Sequence, residues 1–435
     1  MTLVLSERRW LRFGTFAAFY FAQGVPIGLL SVAIPAWLAE QQVSLGDIAV
    51  FASVVSAPWG FKLVAGPFMD RFKFLPMGFR RPWVMVAQAS LIASLLGMAV
   101  LGPLDVTALG PLMVMGFVVN AFAATQDVAV DGMAIDILPE DERGRANAFM
   151  AFGQVAGFSA YGALCSTLLP LVGLPVTALV CAATVAVIFL IVAMVRERPG
   201  ERALPWTSGQ AAPRSEASGE SIGSIFSDLL RVMFLPMSLV LVAVEFLNRA
   251  RDGIAVAVFP KVAVDVVGLT TAEYGRYTGI LSAVAGFVGV ALGPLIDRFG
   301  ARRFLLVSLG ISAGCHIGAG LAVGLWDDPW LIAGAALVVY VAGQLIFVAI
   351  IALFMNLCWT VVAATQFSVY MALANVSRTV GGMAFAPVAD RLSFAQDFLI
   401  MGGLLVAAAV VLMFFDERSH GRRLEVLRQS RRVSL

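Results

Sequence analysis

Long apolar runs separated by short charged breaks make up nearly the whole chain, and the length of the runs decides what they form. A bilayer core of roughly 30 Å takes about 20 apolar residues per helix. Counting runs of that size gives twelve, at 13–38, 46–69, 82–102, 110–133, 146–170, 174–195, 235–262, 275–296, 303–325, 329–355, 366–389 and 396–415. The only long polar interval, 196–224, is rich in Pro, Ser, Gly and charge and falls between runs six and seven. It predicts two six-helix halves, 1–195 and 235–415, joined by a linker over 196–234 and followed by a basic tail over 416–435. Within the linker, residues 222–234 place apolar side chains at helical spacing, interrupted by Asp228 and Arg231. That is the pattern of a helix lying flat on a membrane surface. The first run is too long for a signal-peptide core and lacks a clear cleavage site, so we expect it to be retained as a span.

Composition agrees with a membrane protein. Of 435 residues 60% are hydrophobic and 13% charged, against about 25% charged in soluble domains, and mean hydropathy is +0.89. A net charge of +2 leaves no nucleic-acid footprint. The four cysteines, Cys165, Cys181, Cys315 and Cys358, all lie in apolar runs and read as small packing residues, not as a disulfide or metal framework. With His316 and His420 the only histidines, neither a metal centre nor a cofactor is expected. No Gly-x-x-x-x-Gly-Lys-Ser/Thr motif is present, so the chain is not itself an ATPase.

Charge sets the expected orientation. The amino terminus, the breaks at 70–81, 139–145 and 298–303, the 196–231 linker and the tail hold 23 of the 30 Lys and Arg. All fall on one side if the spans alternate, whereas Glu40, Asp47, Asp105, Asp327 and Asp328 mark the other. The positive-inside rule places both termini in the cytoplasm, and the arginines of the tail can touch anionic lipid.

The halves repeat. Gly66-Pro-Phe-Met-Asp70-Arg71-Phe72 returns as Gly293-Pro-Leu-Ile-Asp297-Arg298-Phe299, each followed by paired arginines, Arg80-Arg81 or Arg302-Arg303. A fainter repeat relates Phe149-Met-Ala-Phe-Gly-Gln154 to Tyr370-Met-Ala-Leu-Ala-Asn375. Duplicated halves belong to carriers that rock one half against the other. Gly66 and Gly293 are expected to let helices approach closely. Asp70, Arg71, Arg80 and Arg81, with Asp297, Arg298, Arg302 and Arg303, form a charge cluster able to latch and release a gate. The bland alternative is that these charges only fix topology.

The paired turns resemble the signature loop of the major facilitator superfamily, at both its positions. Span four, Ala124-Thr125-Gln126-Asp127-Val-Ala-Val-Asp131-Gly132, runs into Asp136, Pro139 and Glu142-Arg143. With Pro58-Trp59-Gly60-Phe61-Lys62 and Ala364-Thr365-Gln366-Phe367, it is similar to the AmpG-like branch. That branch includes muropeptide permeases, acetyl-CoA transporters and single-component siderophore importers of the FptX/RhtX type. The resemblance covers nearly the whole chain, although muropeptide permeases often carry fourteen spans. It implies an all-α membrane protein with twelve transmembrane helices in two pseudo-symmetric six-helix halves. It also implies a monomer in a bacterial inner membrane, with helices one, four, seven and ten lining a central cavity.

Charges inside spans are independent of that likeness. Each costs roughly 2.5–3.5 kcal/mol at the midplane, so it is normally paired or functional. Lys62 lies in span two and Arg378, with Asn375 three residues earlier, in span eleven. Asp127 and Asp131 share a face of span four, and Glu245, Asn248, Arg249 and Asp252 make one stripe on span seven. A carboxylate desolvated in one state and paired in another suits proton coupling, which nominates Asp127 and Glu245. Lys62, Arg249 and Arg378, with Asn248, Gln23, Tyr20 and Trp59, are the candidate substrate contacts. In the alternative, Glu245–Arg249 and Asp127–Lys62 are static pairs. The run Gln23-Gly24-Val-Pro26-Ile-Gly28 loosens helix one near its middle, either for a substrate or as a bend.

Gly310-Ile-Ser312-Ala-Gly314 fits a hydrolase pattern but sits in an apolar span with no strand before it, so small-residue helix packing is expected instead. The expected function is proton-coupled import, by alternating access, of a peptide-bearing cell-wall fragment or related small peptide. Ferric-siderophore import is the alternative within transporters. A transporter-derived sensor is the alternative outside them, and nothing suggests an enzyme.

Overall fold

The computed structural model describes residues 3–71, 75–102, 106–209, 222–359 and 362–434. These residues are helical almost throughout. The first run forms α1 (Arg9–Gly28), a π-helical turn at Leu29–Ala33 and α2 (Ile34–Glu40). The second forms α3 (Leu45–Ser56), a 3₁₀ turn at Ala57–Phe61 and α4 (Lys62–Arg71). Then follow α5 (Arg81–Val100), α6 (Leu109–Ile137), α7 (Arg143–Met194) and α8 (Ile222–Met233). The remainder is α9 (Pro236–Asp265), α10 (Thr271–Phe299), α11 (Ala301–Leu321), α12 (Pro329–Leu357), α13 (Ala363–Ala389), α14 (Phe394–Met413) and α15 (Glu417–Ser434).

Every expected span coincides with helix to within a few residues. Eight described helices are individually long and apolar enough to cross a bilayer, or nine if α8 and α9, bent by 73°, count together. The difference from twelve has local causes. Helix α7 holds two runs, divided at Gly173 (φ 77°, ψ 175°) between Pro170 and Pro175, a backbone conformation that glycine tolerates. The second run is interrupted by its 3₁₀ turn, and α13 carries Gln366, Asn375 and Arg378.

The chain falls into two compact units. Unit one is Met1–Ser215 with Phe259–Ala283, and unit two is Glu216–Val258 with Val284–Leu435.

In unit one, Phe13, Phe16, Phe19, Met69, Val84, Met133 and Met150 make the apolar core. Helices α1 and α7 approach until their backbones touch. A Cβ on Gly24 would lie 2.5 Å from Phe158 N and one on Gly28 2.5 Å from Gly162 N, while Gly153 and Gly157 face the carbonyls of Ala17 and Phe21. The glycines of helix one therefore serve close packing, and the helix keeps its helical backbone through Pro26. Gly66 does not pack closely: its Cβ would meet only Val128, at 3.9 Å.

Two reciprocal contacts close the end of unit one that carries the amino terminus. Strand β1 (Leu3–Val4) pairs in parallel with β2 (Val195–Arg196), which directly follows α7. Beyond it, the buried Glu197 carboxylate accepts the N–H groups of Phe79 (2.9 Å), Arg80 (2.7 Å) and Arg81 at the start of α5. In return Arg81 donates to the carbonyls of Val192, Ala193 (2.8 Å), Arg202 and Ala203 (2.7 Å). Each helix end thus receives the partner that its unsatisfied groups need. Arg12 forks onto Glu142, Nη2 donating to Oε1 at 2.7 Å and Nε to Oε2 at 2.9 Å, joining the starts of α1 and α7. Burial raises the Glu197 carboxyl above its usual range, against the pull of the three N–H groups. Glu201, buried nearby, is raised to about 7, mainly by burial.

In unit two, Leu241, Val244, Leu305, Ile350, Phe354, Tyr370, Leu405 and Phe415 form the core. Gly253 and Gly381 bring α9 and α13 into backbone contact. Gly310 and Gly314 have nothing within 4 Å of an added Cβ, so they are not the packing positions that the sequence suggested. Helix α15 docks through Leu424 beside Val232, Trp359 and Val362, and His420 bonds the Leu357 carbonyl at 3.0 Å.

Candidate functional site

Among the described residues, each unit holds a cluster of charges inside its spans. In unit one, α1 supplies Tyr20 and Gln23, the 3₁₀ turn Trp59, α4 Lys62, and α6 Asp127 and Asp131. The two carboxylates stand one helical turn apart, as their spacing requires. Lys62 pairs with Asp127, whose other oxygen accepts from the Gln23 amide. The Lys62 ammonium also lies 4.9 Å from the Trp59 ring centre, a cation–π contact. Tyr20 donates its hydroxyl to Asp131. Asp127 and Gln23 are buried, whereas Asp131 is exposed. All five unit-one residues nominated as coupling or contact positions therefore meet in one network. Asp131, not nominated for either role, completes it. One ammonium faces two carboxylates here.

Gln126 turns away from this network and donates to the Phe19 carbonyl at 2.9 Å. Its counterpart in the second Ala-Thr-Gln sequence, Gln366, is likewise buried and bonds Trp359 N, Leu357 O and the Tyr370 hydroxyl. Both glutamines hold helices in place.

In unit two the stripe on α9 folds onto itself. Arg249 donates to Glu245 at 2.7 Å and to Asp252 at 3.2 Å, and lies 5.3 Å from the Phe347 ring centre. Asn248 donates to Glu245 at 3.1 Å. Arg251, which falls off the stripe and was missed in the sequence, pairs with Asp252 at 3.0 Å. Arg378 on α13 is half-buried, and its carbonyl packs against Gly253. Among the described residues its guanidinium makes neither hydrogen bond nor ion pair. Three guanidiniums thus face two carboxylates, and Arg378 is the one left over.

The expected gate residues divide. The side chains of Asp70, Arg71 and Asp297 lie outside the described residues. Arg80 pairs with Asp136 at 3.4 Å, and Arg81 is engaged by the four carbonyls above. Arg302 donates to the Met413 carbonyl at 2.8 Å. Arg298 lies 5.8 Å from the Phe299 ring centre, and Arg303 is exposed.

Comparison with known proteins agrees with the geometry. A family profile described as Major Facilitator Superfamily matches residues 15–387. The anhydromuropeptide permease of Escherichia coli strain K12 is 28% identical over 395 residues, covering 90% of this chain and 76% of that protein. A putative AmpG 4 transporter of Rickettsia felis is 28% identical over 145 residues, 32% of this chain and 34% of its own. Among solved structures, a D-xylose–proton symporter superposes with a TM-score of 0.71 at 14% identity, covering 93% of this chain and 97% of its own. An inward-facing, unoccupied bacterial homologue of the human lysosomal transporter Spinster gives 0.69 at 14% identity, over 95% and 98%.

Proposed function

The chain belongs to the major facilitator superfamily, and from that footing we propose that it imports a peptide-bearing cell-wall fragment together with protons. Multi-pass membrane transport is common ground with its relatives, and the proposal adds the substrate and the driving ion. The observation that carries it is the pairing of Asp127 with Lys62 and of Glu245 with Arg249 inside spans. Protonating either carboxylate removes the charge that holds its cation, so proton binding and cation release are one event. A freed Lys62 or Arg249 then meets a substrate carboxylate.

The leftover charges bear on the substrate. Asp131 in unit one suits an ammonium group, and Arg378 in unit two suits a carboxylate. A peptide carries both. The name of the Escherichia coli relative makes anhydro-muropeptide the first compound to test. A proton entering across about 100 mV supplies roughly 2.3 kcal/mol, or about 40-fold accumulation. Both termini then face the cytoplasm of a bacterial inner membrane, and the transporter works as a monomer.

The test is uptake into proteoliposomes under an imposed pH gradient, with labelled anhydro-muropeptide, a dipeptide mixture and a ferric siderophore. Protonophore-sensitive uptake of the muropeptide is expected. Glu245→Gln should abolish gradient-driven accumulation while exchange of labelled for unlabelled substrate persists. Accumulation that survives both Glu245→Gln and Asp127→Asn would sink the coupling assignment. Siderophore uptake alone would replace the substrate.

A further inference from the structure

Helix α7 doubles back at Gly173, which stands between Pro170 and Pro175 with φ 77°. The segments on either side of that turn meet along a seam of small and polar side chains. Tyr161 and Thr184, roughly three helical turns from Gly173, share a hydrogen bond between their hydroxyls. Thr184 already donates to the Val180 carbonyl at 3.1 Å, so the phenol is the donor. Between that bond and the turn lie Cys165 and Cys181, each eight residues from Gly173, with their Sγ atoms 3.5 Å apart. Both are fully buried, as are Ser166, Thr177 and Ala178.

The other two cysteines are placed differently. Cys358 turns its sulfur onto the Phe354 carbonyl at 3.1 Å, and Cys315 is half-buried in α11. Cys165 and Cys181 stand apart because a turn at one end and a hydrogen bond at the other fix the register of their two segments. The sulfurs are therefore held opposite one another. A disulfide places its sulfurs about 2.05 Å apart, so closing the bond asks for a movement of about 1.5 Å. Side-chain rotation with a small shift of the two segments supplies it. Burial decides which oxidant serves. Exchange with a large disulfide needs access to the sulfur, which full burial denies, whereas a small neutral molecule that dissolves in lipid can arrive.

We propose that Cys165 and Cys181 are a site of reversible oxidation, closed to a disulfide by a small halogen oxidant, hypohalous acid or iodine. With iodine, one sulfur takes an iodine atom as a sulfenyl iodide, and its proton and an iodide leave. The second sulfur displaces the other iodide, the S–S bond forms and the second proton leaves. Two electrons pass from the sulfurs to iodine, giving two iodides and two protons. Hypohalous acid follows the same course, with water leaving first and the halide second. The bond closes a loop of about 15 residues around the Gly173 turn, and such a cross-link restricts the unfolded chain. Oxidation thus staples spans five and six together and makes unit one harder to unfold. The orientation proposed above puts this end of α7 away from the cytoplasm, on the side where disulfides persist.

Counting thiols tests the site. Protein in lipid nanodiscs is treated with one equivalent of iodine, quenched, unfolded in detergent and alkylated with N-ethylmaleimide, and the labels are counted by mass. Reduced protein has four free cysteines and should take four labels. Oxidised protein should take two, with the missing pair mapped to Cys165 and Cys181, and dithiothreitol should restore all four. It should also run as a single chain on a non-reducing gel. Changing Cys315→Ala and Cys358→Ala together leaves the pair untouched, and this variant should fall from two labels to none. Four labels after iodine, labels missing from Cys315 or Cys358, a disulfide-linked dimer or a loss that dithiothreitol does not reverse would each overturn the site. In the same variant, oxidation should raise the melting temperature by a few degrees. An unchanged melting temperature with the bond closed would overturn the staple.

Discussion

Both carboxyl oxygens of Asp397 are buried in the first turn of α14 without a hydrogen-bond partner among the described residues, a costly arrangement for any polar group. The face it shares with Met401, Leu405, Ala408 and Leu412 is otherwise apolar. We expect Asp397→Leu, which has the same branching and number of heavy atoms and no polar atom, to raise thermal stability in detergent, by about 1–3 kcal/mol. A loss of stability would mean that the carboxyl has a partner outside the described residues. The contrast with Glu142 is instructive: its carboxylate is also buried but meets a forked guanidinium. Residue chemistry was legible where both partners share a helix. Glu245 and Arg249 stand four apart, and the spacing named the pair. Arg251 was missed because it lies off the stripe, and Asp397 because it sits at the edge of its run. The partners of Arg81 and Glu197 were invisible because each lies more than a hundred residues from the other in the chain.

At the scale of elements, glycine decides which helices touch. Gly253→Ala would put a methyl 2.1 Å from the Arg378 carbonyl and Gly382 close behind it. Overpacking of that kind costs about 1–3 kcal/mol, so lower thermal stability and shifted substrate affinity are expected together. Gly310→Ala meets nothing and should be neutral or slightly stabilising through helix propensity; comparing the two melting temperatures checks both. The ends of helices were read well from run length and charge. What glycines do was not, since Gly-x-x-x-Gly looks the same whether a neighbour is present or absent. Contact needs a partner surface, and one chain segment cannot show it.

At the scale of the molecule, duplication is clearest in the framework and weakest in the chemistry. Phe149 and Tyr370, matched by the fainter repeat, each stack on another ring, Phe13 at 5.2 Å and Phe354 at 4.3 Å. The two polar clusters share no such correspondence, as expected when one half is kept acidic and the other basic. Stability also has a pH dependence, concentrated near the clasp of α5 with α7. Burial raises Glu201 from 4.5 to about 7. A carboxyl raised on folding favours the folded state fully below the unfolded value, and that contribution fades as pH climbs through the folded value. Wild-type protein should lose stability between about pH 4.5 and 7 by at most about 3 kcal/mol, and Glu201→Gln should flatten that slope in a pH series of thermal unfolding.

The parallel pairing of Leu3–Val4 with Val195–Arg196 has a consequence for synthesis. Leu3 and Val4 belong beside residues made almost two hundred positions later. Until the sixth span has been translated, the strand has no mate, and Arg81 and Glu197 have not met. The clasp of α5 with α7 thus closes only after the sixth span is made, and a bulky group attached beside the first strand would compete with that step.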